Sequence, residues 1–129
     1  MDLQELIAEI IAFRDERDWA QFHTPQNLAV ALGIEAAELQ QEMLWKTDAE
    51  VAELLDTGDG HGRVSDEIAD VLIYALLFCE AAGVDPAAAI RVKLRKNAEK
   101  YPVEVAKGSA AKYDQLHTEV RIKADGADS

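Results

Sequence analysis

Between Ile68 and Cys79 the chain reads Ile-Ala-Asp-Val-Leu-Ile-Tyr-Ala-Leu-Leu-Phe-Cys, and Asp70 carries the one charge in it. A helix built from this segment is apolar on every side, so it has to be covered all round. The segment is too short and too interrupted to span a bilayer. It must therefore be the central element of a helical core. Ser65 reads as its cap and Gly83 as its stop, which predicts a helix over 65–82. A four-helix protomer can hardly surround one of its own members. The segment thus also predicts homo-oligomerisation, to a dimer or tetramer, through this helix or the one before it.

The rest of the chain supplies helices for it to pack on. Asp2 with Glu5 reads as a capping box, and Leu3, Leu6, Ile7, Ile10 and Ile11 follow helical spacing to about Trp19. Thr24-Pro25 is a cap followed by proline at the first helical position, opening a second helix to about Lys46. Thr47-Asp48 starts a short helical piece ending near Leu55, and residues 56–63 (DTGDGHGR), with three glycines, read as a loop. Asp85-Pro86 repeats the cap-plus-proline signal for a last main helix to about Lys100, ahead of Tyr101-Pro102. No segment alternates with period two. The expected class is all-α, a four-helix bundle protomer. At 129 residues there is material for one core and not two. Residues 1–113 read as the domain and 114–129 as a polar, partly flexible tail.

The formal net charge is −12, from 25 acidic and 13 basic residues. Such a surface repels nucleic acid, whose binding depends on Lys and Arg displacing counterions. It repels a free triphosphate equally, unless metal ions mediate the encounter. A charge of this size also keeps a small protein soluble, so it decides nothing by itself. The single cysteine, Cys79, excludes an internal disulfide and fits a reducing compartment. With no signal-peptide pattern, the expectation is a cytoplasmic protein with no membrane and no nucleic-acid partner.

Asp70 raises the sharpest chemical question, because a carboxylate in an apolar segment requires a partner. Glu67 stands three residues before it, and Glu35 and Glu38 repeat that spacing on the second helix. Each pair lies on one helical face. Two such faces together make a cluster of four carboxylates, whose repulsion Mg²⁺, or Mn²⁺ in its place, relieves. Glu42, seven residues after Glu35, shares that face and can join or support the site. Taken alone, Glu35 and Glu38 read equally well as solvated side chains, and Glu67 as an acid favoured near a helix N-terminus. A di-iron bundle would need Glu-x-x-His, which His23, His61 and His117 do not supply; an EF-hand loop and a structural zinc set are also missing.

Trp19 and Trp45 both fall at helix ends, where a tryptophan either fills the core or offers a face for a base to stack on. Phe22 lies close to the first and Lys46 beside the second. Tyr74 shares the face of Glu67 and Asp70, so its hydroxyl can position a sugar or bond Asp70. Lys93, Asn97 and Lys100 form a stripe on the last helix, with Lys107 and Lys112 beyond it. Such a stripe is a solvated face, or a phosphate contact if it stands beside a metal cluster.

Four blocks in order carry a resemblance: Trp19-x-x-Phe22-His23-x-Pro25-x-Asn27-Leu28; Glu35-Ala-Ala-Glu38 with Trp45-Lys46; Glu67-Ile-Ala-Asp70-Val-Leu-Ile-Tyr74; and Asn97 with Lys100-Tyr101-Pro102. The chain resembles the MazG-like all-α nucleoside triphosphate pyrophosphatases over roughly residues 14–113, and especially their dCTP pyrophosphatase branch. The resemblance implies Mg²⁺ on Glu35, Glu38, Glu67 and Asp70, and a nucleoside pocket of His23, Asn27, Trp45 and Tyr74, with Trp19 a further candidate for binding the substrate. It implies phosphate or sugar contacts from Lys46, Lys93, Asn97, Lys100 and Tyr101. It also implies dimers, or tetramers of dimers, with sites shared between subunits. Where the branch often has a further Glu, this chain has Gln41, with Glu42 next to it. The implied reaction is attack of a metal-activated water at the α-phosphorus, with Glu35 or Glu38 handling the water and pyrophosphate leaving. dCTP or a related pyrimidine nucleotide is the implied substrate. Hydrolysis of modified nucleotides, or a bundle that only binds nucleotide or a protein partner, are the alternatives.

Overall fold

The computed structural model describes residues 1–110, and among them every regular element is a helix. In chain order these are α1 (Leu3–Glu16), α2 (Pro25–Met43), α3 (Asp48–Asp56), α4 (Gly58–Ala82), α5 (Pro86–Lys100) and α6 (Val103–Ala106). The expected tail, 114–129, and Lys112 lie outside the described residues. Helices α1 to α4 form one compact unit, Met1–Asp85, and the described residues 86–110 belong to a second. No described helix is long and apolar enough to cross a membrane.

The starts of α1, α2 and α3 follow the sequence signals closely. Asp2 and Glu5 close a reciprocal capping box on α1, and Thr47 and Glu50 do the same on α3. Thr24 Oγ1 accepts the Asn27 backbone N–H at 3.2 Å, with Pro25 at the first position of α2. At the other end of α4, Gly83 takes φ +68°, and the Val84 N–H returns to the Cys79 carbonyl at 2.8 Å.

The ends of α1 and α2 come earlier than the apolar spacing predicts. Asp18, with φ +54°, breaks α1 before Trp19, and Trp45, with φ +62°, breaks the chain after α2. A left-handed residue cannot continue a right-handed helix. The early turn at Asp18 brings Trp19 back edge-to-face on Phe13, with ring centroids 5.9 Å apart. Arg17 stacks over the other part of that pair, 3.6 Å from the Phe13 ring centre.

The start of α4 corrects the expected loop over 56–63 and the Ser65 cap. Helix α4 begins at Gly58, capped by Thr57, whose Oγ1 accepts from the Gly60 N–H at 3.2 Å. Ser65 lies inside the helix, its hydroxyl 3.3 Å from His61 Nδ1. Gly60 marks a tight corner where a loop was expected. A Cβ on Gly60 would fall on the Leu54 carbonyl oxygen and 2.7 Å from Thr57 Oγ1. Only glycine lets α3 turn into α4 so sharply.

Within the first unit, α4 packs mainly on α2 and less on α3 and α1. Leu28 of α2 and Leu77 of α4 are its buried apolar side chains. Helix α4 is not enclosed on every side by its own unit: Ile68, Leu72 and Ile73 remain exposed. Three neighbouring helices of the unit cover only part of its circumference.

The corner gives a sharp contrast between two glycines of one helix. Gly60→Ala is expected to destabilise the protein by about 2–3 kcal/mol through overpacking against Leu54 and Thr57. Gly62→Ala, with open space around its would-be Cβ, is expected to stabilise by about 0.5–1 kcal/mol. Urea unfolding of both variants at one protein concentration checks this.

Candidate active site

The α2–α4 contact places three carboxylates together. Glu35 and Glu38 stand one turn apart on α2, Glu67 faces them from α4, and one oxygen of each lies within 4.8 Å of the others. Glu35 Oε2 and Glu67 Oε2 are shielded from solvent, and no N–H or hydroxyl group donates to them. Burial, the Glu38 carboxyl close beside it and the negative charges of Glu38, Asp70 and Glu67 push the Glu35 carboxyl above its ordinary range. Glu67 is raised by burial, by the Glu38 carboxyl close beside it, and by the charges of Glu38, Asp70 and Glu42. Anions this close hold either protons or a cation. An all-oxygen donor set with two unpartnered buried atoms suits a hard divalent cation.

Asp70 belongs to the neighbourhood for a different reason from the one its apolar flanks suggest. It is exposed, not buried, because the face of α4 that carries it opens into a cavity. Its charge still acts on both Glu35 and Glu67. The cavity, about 410 Å³, is lined by Leu6, Glu9, Ile10, Phe13 and Arg14 of α1, by Trp19 and His23 of the following turn, and by Asp70, Ile73, Tyr74 and Leu77 of α4. That volume lies within the range of about 300–1,000 Å³ typical of small-molecule sites. Asp70 connects the cavity to the carboxylate cluster.

The cavity's polar groups are few. His23 Nδ1 is buried and unpartnered. Burial, then the charge of Arg14, lowers the pKa of His23, so its ring is neutral at pH 7. Arg14 is held by Asp15 at 2.8 Å. Neither Glu9 nor Arg14 stands out in the sequence, where both read as parts of an amphipathic first helix. Arg63 escapes notice as well. It sits in the glycine-rich stretch, yet donates from Nε to Glu42 Oε2 at 3.3 Å. The signal for it is its place one turn before Glu67, visible only once the helix is extended to Gly58.

Other residues implied by the resemblance do not line this cavity. Asn27 donates its side-chain amide to the Phe22 carbonyl at 3.0 Å, bracing the turn before α2. Trp45 is 92% exposed, and Lys46 follows it beyond the end of α2. Lys93, Asn97 and Lys100 stand on α5 of the second unit, with Tyr101 next, its N–H bonded to the Asn97 carbonyl at 2.8 Å.

A family model described as the MazG-like family matches residues 30–116. The chain is 39% identical over 115 residues to dCTP pyrophosphatase 1 of Rattus norvegicus and 37% identical to that of Homo sapiens. In both cases the match covers 89% of this chain and 66% of the relative, so the chain spans a little under two thirds of these curated relatives. Among solved structures, a pyrophosphatase from Archaeoglobus fulgidus DSM 4304 is 44% identical, with a TM-score of 0.71, covering 78% of this chain and 92% of that one.

The raised carboxyls set a pH dependence for the metal-free protein. A folded pKa above the unfolded one means that the folded state binds more protons. The stability this contributes is present below the ordinary carboxylate range and is lost as pH rises through the raised values. The EDTA-treated protein should therefore lose thermal stability across that window. A Glu35→Gln/Glu67→Gln variant should lose measurably less, as melting curves at stepped pH will show.

Proposed function

Because the chain belongs to the MazG-like family, we propose that it is a Mg²⁺-dependent pyrophosphohydrolase converting a nucleoside triphosphate to the monophosphate and pyrophosphate. The observation that carries this is the carboxylate cluster, with its unpartnered Glu35 and Glu67 oxygens, beside a cavity of nucleoside size. The names of its relatives favour dCTP, or a related pyrimidine nucleotide, as substrate. The lone cysteine is the ground for placing it in the cytoplasm.

Glu35, Glu38, Glu67 and Asp70 would hold Mg²⁺, which when bound supplies a Lewis acid for phosphoryl oxygens and lowers the pKa of a water. Glu35 or Glu38 orients the attacking water and receives its proton. The water's oxygen forms the new bond to the α-phosphorus as the bond to the bridging oxygen of pyrophosphate breaks. Trp19, His23 and Tyr74 bind the nucleoside within the cavity. His23, held neutral, is suited to a hydrogen bond with an uncharged base edge. Lys93, Asn97, Lys100 and Tyr101 contact phosphates or sugar, and the two lysines offset charge on the departing pyrophosphate. The assembly is a homodimer or tetramer covering the apolar face of α4. Sharing of sites between subunits gives the exposed Trp45, with Asn27, a nucleoside-binding role, and Lys46 a contact to phosphates or sugar. Residues 1–113 constitute the catalytic domain.

Pyrophosphate release from each common ribo- and deoxyribonucleoside triphosphate, with Mg²⁺ and with EDTA, tests this reading. Metal-dependent release, fastest with dCTP and with monophosphate as co-product, is expected; no release from any of them would contradict it. Asp70→Asn should lower kcat by about a hundredfold or more, since even outer-shell changes cost about 10–100-fold, with the circular dichroism spectrum unchanged.

A further inference from the structure

The acidic face of α2 and the facing side of α4 share one spacing. Glu35, Glu38 and Glu42 recur at i, i+3 and i+7, while Asp70, Glu67 and Arg63 recur at the same intervals in the opposite direction. The acids at the first two levels lie within each other's electrostatic reach. The third level is different. There Arg63 Nε donates to Glu42 Oε2 at 3.3 Å, an ion pair that joins the two helices. Glu42 is near enough for its charge to act on Glu67, one turn of α4 beyond Arg63. Without the guanidinium, a further carboxylate would stand at the edge of the cluster with nothing to hold it.

We propose that Arg63 is a positioning residue for the metal centre: by holding Glu42 in an ion pair, it keeps that carboxylate from turning in as an extra ligand. The proposal rests on Glu35, Glu38, Glu67 and Asp70 being the metal-holding set. A pair as exposed as this one, with 55% of the Arg63 side chain open to solvent, adds little to stability. Its effect is on the number and charge of ligands the cation meets. More carboxylates bind a hard cation more tightly, at the expense of positions left for substrate phosphates.

The test is a double-mutant cycle read as Mn²⁺ affinity of the nucleotide-free protein, from loss of the free-ion electron paramagnetic resonance signal. Arg63→Ala is expected to tighten Mn²⁺ binding about tenfold or more when Glu42 is present. In the E42Q background the same change should move affinity by less than about threefold, the residue of through-space charge alone. Arg63→Lys, which keeps a cation beside Glu42, should stay within about threefold of the parent protein. Equal shifts in both backgrounds, or no shift from Arg63→Ala, would overturn the positioning role while leaving the metal site standing. If the parent protein binds no Mn²⁺, the metal reading falls and this inference falls with it.

Discussion

The contact between α2 and α4 buries mutual repulsion. Glu38 sits between Glu35 and Glu67, and each of those has an oxygen removed from water without gaining a donor. Packing two helices through such a face is unfavourable unless something positive joins it. Protons can do so at low pH, which is what the raised Glu35 and Glu67 carboxyls express. A divalent cation could do so at neutral pH and leave the carboxylates ionised. The chemistry and the packing of the unit therefore meet in the same interaction. The helices are brought together by apolar residues such as Leu28 and Leu77, and they confine charge that a proton or a cation has to offset.

The cavity follows from where α1 stops. Had α1 continued to Trp19, the indole would project from the helix. The left-handed Asp18 instead folds it against Phe13, leaving Trp19 and His23 as one wall facing Tyr74 and Asp70 on α4. The acidic side of the site and its aromatic side thus share only Asp70. That division suits a ligand with a charged end and a flat, largely uncharged end.

Much of this was legible in the chain because caps and spacing are local. Asp2/Glu5, Thr24-Pro25 and Thr47/Glu50 set helix starts through side chains a few residues from the bonds they make. The carboxylate spacing on α2 and α4 needed only helical geometry to be seen. What failed depended on contacts between elements. Glycines at 58, 60 and 62 look like a loop unless one knows that Leu54 and Thr57 crowd Gly60. With that helix start misplaced, Arg63 lost its register against Glu42. The lone charge of Asp70 pointed to the right neighbourhood, but burial was the wrong ground for it. Arg14 and Glu9 could not be distinguished from solvated positions until the cavity was seen. The positive φ of Trp45, beside an exposed Leu44, had no local signal.

The central claim is that a divalent cation takes the place of protons shared among these carboxylates. Calorimetric titration of Mg²⁺ into EDTA-treated protein, in two buffers of different ionisation enthalpy, tests it most directly. Just above the ordinary carboxylate range, binding should release protons, because ligands must be deprotonated to hold the ion. Release should diminish as pH rises and the carboxyls ionise unaided. Failure of Mg²⁺ to bind, or binding with no proton released at any pH in that range, would contradict the claim.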